Sequence, residues 1–333
     1  MATLKEKLAE RIPQRRDEIR SLVKEHGDKV ISEVTVAQAY GGMRGVKGMV
    51  CDTSLVDPEK GLIIRGIPVE DLADRIPEEI WYLLMTSELP DEDALKSVQK
   101  DLGEHAGVPG YVWDVLRAMP DDSHPMVMLS VGMMSMQKES IFAQSYAEGM
   151  KKTEFWEPAY EDSLRLVAKA ITVAAGMYRI RFGKGDPIEP DPSLDYGANF
   201  VHMLGIEDPS GEFANLMRLY LVLHCDHEAG NVSANTCHTV GSALSDLYYA
   251  VTAGWNGLAG PLHGLANQEV LRWLQELVQK MDGAVPTEDE MKQLLLSGGN
   301  RARRHSRRAG KRRGLRLFTA LSRHAHAGKR TRL

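Results

Sequence analysis

The sequence predicts a mostly α-helical protein, on three observations. Aromatic residues make up 6% of the 333, against sixteen Met and many Ala and Leu, a composition that leans toward helices over a β-sandwich. From Ser163 onward, Leu164, Val167, Ala168, Ile171, Ala175 and Tyr178 recur at three- and four-residue steps, which lines one face of a helix. No Gly-x-Gly-x-x-Gly follows a strand-like run, so a dinucleotide-binding α/β fold has no support.

Taken in order, residues 3–27 mix charges with apolar residues spaced for an exposed helix. Residues 35–66 differ: Gly41, Gly42, Gly45, Gly48, Gly61 and Gly66 punctuate short β-branched runs such as Leu62-Ile63-Ile64. That pattern predicts turns and a small hairpin. After the helix that begins near Ser163 comes a connector with Pro187, Pro190 and Pro192. Helical stretches are then expected at about 211–227, 233–254 and 264–280, broken at Gly230-Asn231 and at Asn256-Gly257. Thr287, with Glu290 three residues later, reads as a capping box that starts another short helix.

A chain 43% hydrophobic can build a real core, yet it has no run of about twenty apolar residues, so no membrane span is expected. The opening MATLKEKLAERIPQRRDEIR alternates charges of both signs, unlike a secretory or transit signal. Three cysteines, Cys51, Cys225 and Cys237, are too few for a disulfide framework, and a cytoplasmic location is the expectation. The net charge of −5 hides an asymmetry. Thirteen Lys or Arg and no acid lie between Arg301 and the end, which leaves 28 bases against 46 acids in residues 1–300, a net of −18.

The residues that could carry chemistry lie between 224 and 263. In His224-Cys225-Asp226-His227-Glu228-Ala229-Gly230-Asn231-Val232-Ser233, one helix ends and the next begins. A metal reading would use the two His, the two Cys and His238. Cys225 and Cys237 stand twelve apart and no Cys-x-x-Cys occurs, so no metal is expected. A plainer reading makes these polar residues helix caps. The functional one is a pocket at a helix junction, where His and Asn side chains meet an anionic substrate near free backbone N–H groups. The second stretch, Asn256-Gly257-Leu258-Ala259-Gly260-Pro261-Leu262-His263-Gly264, frames one His with three Gly and one Pro. A tight turn there presents the imidazole where a new helix starts. The positive end of that helix disfavours imidazolium, so His263 is expected to be neutral and able to donate to a carbonyl or enol oxygen.

The two stretches HEAGNVSANTCHTVGSALSD and NGLAGPLHGLANQEV resemble the signature segments of the citrate synthases. YGGMRGVKG near residue 40, DPEKGLIIRG and SHPMVMLSVGMM agree with them, and YGGMRG and EAGNVSA point to the longer, mitochondrial-type branch. The resemblance covers residues 30–299 and implies a mostly α, multi-helical large domain with a truncated small domain. By it, residues 1–265 form the large domain that contains the oxaloacetate side and makes a homodimer, and 266–299 open the small CoA-binding domain. The activity implied is an acyl transfer that condenses acetyl-CoA with oxaloacetate to citrate and free CoA. No cofactor is expected, because acetyl-CoA is a substrate. The alternative within the family is a 2-methylcitrate synthase that takes propionyl-CoA. The turn His of the family is His263 here, His227 and Asn231 match oxaloacetate-holding positions, and Ser233 matches a residue that orients the turn. Arg44 matches a basic residue near the CoA phosphates across the dimer. Asn235 stands where some members have His.

The family pattern stops at Gly299. Members continue through Val-Val-Pro-Gly-x-Gly-His-Ala-Val-Leu-Arg, with the carboxylate base and the substrate-binding arginines further on; residues 300–333 have no acid that could be that base. Codons permitted for Asn300 through Gly310, read one base out of frame, can spell Ile-Val-Pro-Gly-x-x-His-Ala-Val-Leu. The missing His then straddles the codons of Ser306 and Arg307. A frameshift near codon 300, in the gene or in its recorded sequence, is therefore the expected origin of the basic tail. The other class of reading is a basic arm that binds nucleic acid or another polyanion non-specifically through charge. Its one aromatic, Phe318, makes no stacking platform.

Overall fold

The computed structural model describes residues 3–43, 45–264 and 266–280, together with positions 287, 289–290 and 292–293. The chain divides into two compact units, Met1–Leu265 and a second that begins at Ala266.

The first unit opens with α1 (Leu4–His26), started by a capping box. The Thr3 hydroxyl accepts the Glu6 N–H at 3.3 Å, and the Glu6 carboxylate accepts the Thr3 N–H at 2.7 Å. A five-residue α2 (Val36–Tyr40) follows. Three antiparallel strands, β1 (Ser54–Asp57), β2 (Gly61–Ile64) and β3 (Ile67–Pro68), pair in the order β1-β2-β3 with Val56 opposite Leu62. The hairpin expected within 35–66 is present, and it is preceded by α2, a helix of five residues between its cap, Thr35 with Gln38, and Gly41.

Helices then follow one another: α3 (Pro77–Thr86), α4 (Glu92–His105), α5 (Gly110–Arg117), α6 (Pro125–Met134) and α7 (Ile141–Ala147). The longest, α8 (Trp156–Arg181), precedes α9 (Tyr196–Leu204), α10 (Glu212–Leu223), α11 (Val232–Gly241) and α12 (Leu247–Leu258). The expectation of a mostly helical chain holds.

Helix α8 contributes to three clusters, the smallest being Ile171 and Ala175 with Met203. Leu166, Val173 and Met177 join Val112, Trp113, Leu116, Met128 and Met133 in one. Leu164 and Ala168 join Leu4, Leu8, Tyr82 and Leu102 in another. Each large apolar side chain so buried stabilises the fold by about 1.5–3 kcal/mol. The stripe read from Ser163 in fact begins a turn and a half earlier. Asp162 interrupts it in the sequence, yet is wholly buried. Its carboxylate accepts the Ile141 N–H at 2.8 Å, the Phe142 N–H at 3.2 Å and the Ser140 hydroxyl at 2.6 Å, capping α7 from another helix.

Two boundaries differ from the sequence expectation. The stretch 233–254 is two helices, because Leu244 takes a left-handed conformation (φ 61°) and Asp246 caps α12 through the Tyr248 N–H at 2.9 Å. The stretch 211–227 ends at Leu223, where the His224 ring lies against the Tyr220 carbonyl, Nδ1 to O 2.7 Å.

The second unit contains α13 (Ala266–Lys280). The capping pair is there too: the Thr287 N–H donates to the Glu290 carboxylate at 2.8 Å, and the Glu290 N–H to the Thr287 hydroxyl at 3.4 Å. Among the described residues, no helix is long and apolar enough to cross a membrane. The basic stretch 300–333, with everything expected of it, lies outside the described residues.

Candidate active site

Between α10 and α11 the chain makes a tight turn from His224 to Asn231. Asn231 is the N-cap of α11: its Oδ1 accepts the Ala234 N–H at 2.9 Å, satisfying one of the orphan donors of the first turn. The same oxygen accepts the Ser233 hydroxyl at 2.7 Å. Its Nδ2 reaches back to donate to the carbonyls of Glu228 (3.0 Å) and His227 (3.2 Å). One amide side chain thus ties the turn to the helix at both ends. That commits its polar atoms to organising the turn.

Helix α12 brings the second stretch to this place. At Gly254 an added Cβ would lie 3.0 Å from the Ser233 carbonyl oxygen, so the glycine lets α12 pass close to the first turn of α11. Beyond Leu258 the chain turns back, with the His263 N–H donating to the Gly260 carbonyl at 3.0 Å. At Gly264 an added Cβ would overlap the Leu258 carbonyl oxygen, so only glycine fits there.

The turn sets the His263 ring on the N-terminus of α11. Nε2 lies 2.9 Å from the Ser233 hydroxyl oxygen and 3.4 Å from the Ser233 backbone nitrogen. The backbone N–H cannot rotate away, so Nε2 is the accepting nitrogen and the proton belongs on Nδ1. The hydroxyl can point to Nε2 or to Asn231 Oδ1. Ser233 thus links His263 to Asn231: its backbone N–H donates to Nε2 and its single hydroxyl proton goes to one of the two neighbours at a time, although Ser233 and His263 stand 30 residues apart in sequence. His227 joins through its carbonyl, while its side chain is exposed.

Glu228, absent from the residues the sequence singles out, lies at the centre of the turn. It holds a left-handed backbone conformation (φ 58°), its N–H donates to Ser54 Oγ at 2.7 Å, and its carboxylate accepts the Val56 N–H at 2.7 Å. No sequence signal marks it, since its partners lie more than 170 residues away. Arg44 lies outside the described residues.

Among the described residues, no three His, Cys, Asp or Glu side chains could hold an ion. Burial, with the Asp226 carboxylate adding to it, pushes the Cys225 thiol up to about 12, and burial raises Cys237 as well. Both are held as thiols at neutral pH.

The fold and this site describe a helical scaffold that presents a histidine on a glycine-rich turn at a helix N-terminus. The same scaffold is found in solved citrate synthases. That of Pyrobaculum aerophilum superposes with a TM-score of 0.66 at 31% identity, over 75% of this chain and 63% of that one. The sequence model described as "Citrate synthase, C-terminal domain" matches residues 42–303, and the chain belongs to the citrate synthase family.

Among its relatives, citrate synthase 4, mitochondrial, of Arabidopsis thaliana is 46% identical over 287 residues, 83% of this chain and 60% of that protein. The mitochondrial citrate synthase of Saccharomyces cerevisiae is 45% identical over 84% of this chain and 60% of its own length. A mitochondrial 2-methylcitrate synthase of Yarrowia lipolytica is 44% identical over 87% and 65%. The chain spans about three fifths of the length of such relatives. Their mitochondrial residence overturns the cytoplasmic expectation and points to the mitochondrion. Cysteine usage separates oxidising from reducing compartments, and does not separate one reducing compartment from another.

Proposed function

We propose that this site belongs to a transferase that condenses acetyl-CoA with oxaloacetate to give citrate and CoA, with no cofactor beyond the thioester substrate. The observation that carries the reading is the chain from His263 through Ser233 to Asn231 at the N-terminus of α11. With Nε2 accepting from Ser233, the Nδ1–H is available to the thioester carbonyl. As a base removes a methyl proton, negative charge grows on that oxygen, and a donor already in place stabilises the enol. His227, exposed on the same turn, faces the keto acid, with Asn231 setting the turn's shape. In the family the base is a carboxylate beyond Gly299, and residues 300–333 contain no Asp or Glu.

Residues 300–333 cannot supply that base, so a chain in which they replace the family's continuation is expected to be a very poor catalyst of the family's reaction. Each missing general acid or base removes roughly 10²–10⁴-fold in rate. A frameshift near codon 300 accounts for the loss, and the nucleotide sequence tests that directly: no single-base shift yielding the family's continuation means the idea is wrong. The functional test measures CoA release from acetyl-CoA and oxaloacetate by this chain beside a frame-restored one, with His263→Ala in each. The restored chain should be faster by several powers of ten and should lose roughly 10²–10⁴-fold on His263→Ala. Equal rates for the two chains, or an indifferent His263→Ala, would refute the reading.

The Yarrowia lipolytica relative, 44% identical, supports a second reading in which propionyl-CoA is the thioester. Turnover of the two thioesters by the restored chain decides between them. A homodimer fits the first unit as well. Helix α11 buries no residue in a single chain, and Val232 at its start and Leu244 in the turn beyond its end are exposed. Charge-driven binding of polyanions by the tail rests on its composition alone.

A further inference from the structure

Glu228 takes the one left-handed backbone conformation in the turn from His224 to Asn231, while the turn's glycine, Gly230, has an ordinary φ. A glycine at 228 would adopt that conformation without strain, so the glutamate brings something that offsets it. Its contacts show what. The carboxylate accepts the Val56 N–H at 2.7 Å, the backbone N–H donates to Ser54 Oγ at 2.7 Å, and the carbonyl accepts Asn231 Nδ2 at 3.0 Å.

Strand β1 is the edge of its sheet, and the Val56 N–H faces away from β2 with no strand to take it. The carboxylate supplies the missing acceptor and makes a charge-assisted bond. The hairpin is itself a firm platform. Ile64 is fully buried against Leu72, Ile80, Leu83 and Val222, and the Arg65 side chain donates to the carbonyls of Leu84 (3.0 and 2.5 Å) and Asp52 (2.9 Å).

We propose that Glu228 is a positioning residue: it locks the turn that presents His227, shaped by Asn231, onto the free edge of β1, and so fixes where His227 meets the keto acid. This rests on the reading that His227 faces oxaloacetate. The anchor itself does not depend on that reading.

The test uses the full 333-residue chain and four variants, Glu228→Ala, Glu228→Gln, Ser54→Ala and His227→Ala. In hydrogen exchange, Glu228→Ala should speed exchange at least tenfold in segments 52–58 and 224–233 and leave α8 as protected as before. Glu228→Gln, whose amide oxygen still accepts from Val56, should restore protection, and Ser54→Ala should fall between. Protection unchanged in Glu228→Ala, or Glu228→Gln no better than Ala, overturns the proposal.

The second measurement is binding of millimolar oxaloacetate by saturation-transfer NMR. Affinity should fall at least tenfold in Glu228→Ala and stay within threefold in Glu228→Gln. A wild-type chain that binds no better than His227→Ala sinks the assignment of the site, and the positioning role with it. A wild-type chain that binds well, with Glu228→Ala its equal, sinks the Glu228 proposal alone. Loss of α8 protection in Glu228→Ala would mean global unfolding. Glu228→Gln and Ser54→Ala then decide the matter, with no change of exchange at 224–233 in Ser54→Ala counting against the proposal.

Discussion

Replacing Asn231 by Ala removes the side chain on which the site's connections converge. It deletes the N-cap bond to the Ala234 N–H (2.9 Å), the acceptor of the Ser233 hydroxyl (2.7 Å) and the donor to two carbonyls (3.0 and 3.2 Å). The cap is worth about 1 kcal/mol. The turn is half-exposed, so water takes over much of the carbonyl bonding, and those contacts add about another 1 kcal/mol. A loss of about 2 kcal/mol in a unit of this size lowers the thermal midpoint by about 4–8 °C.

Asn231→Asp separates the two contributions. The aspartate keeps the cap and the Ser233 acceptor, yet turns an oxygen toward two carbonyl oxygens. It should recover the cap's share and lose the rest. The assay is thermal unfolding followed by circular dichroism at about 222 nm, the helical band, with citrate formation by the frame-restored chain measured in parallel. Midpoints within about 1 °C of wild type for Asn231→Ala would refute the reasoning, since the cap alone is worth more than that. An Asp variant less stable than Ala would show that the carbonyl contacts, not the cap, hold the turn.

Three further outcomes follow from other places in the fold. Gly264→Ala drives a Cβ into the Leu258 carbonyl oxygen, so the His263 turn must shift; stability should fall by about 1–3 kcal/mol and the restored enzyme should lose turnover, and a fully active, equally stable variant would contradict this. Glu78, 2% exposed and beside Asp195, has its carboxyl pKa raised chiefly by burial, so the stability it contributes is present at low pH and is lost as pH rises through its raised value. Glu78→Gln keeps the acceptor for the Tyr196 N–H (2.8 Å) without the charge. It should therefore melt higher than wild type at about pH 8, with the gap closing toward about pH 4, and a gap that does not change with pH would refute the assignment. Elemental analysis after zinc loading and chelator treatment should find well under one zinc per chain, and stoichiometric retention would place a metal where the Cys225 and Cys237 thiols are held protonated.

The sequence by itself determined the helical class, the capping box at Thr287, and the two stretches that make up the site. These are local properties: a cap involves residues three apart, and an apolar stripe repeats every turn. It also carried the family's motifs, and the family's sequence model matches residues 42–303. The tertiary structure alone decided what those residues touch. Asp162 reads as a break in a stripe until it is seen capping α7, 20 residues away in sequence. The helix expected over 233–254 divides because Leu244 adopts a left-handed conformation that nothing local to it announces. His263 meets Ser233 only because Gly254 lets two helices approach, and Glu228 finds its partners on a strand 172 residues earlier. Hydrogen bonds at such separations depend on where packing puts the backbone, and packing is a property of the whole core rather than of any window of sequence.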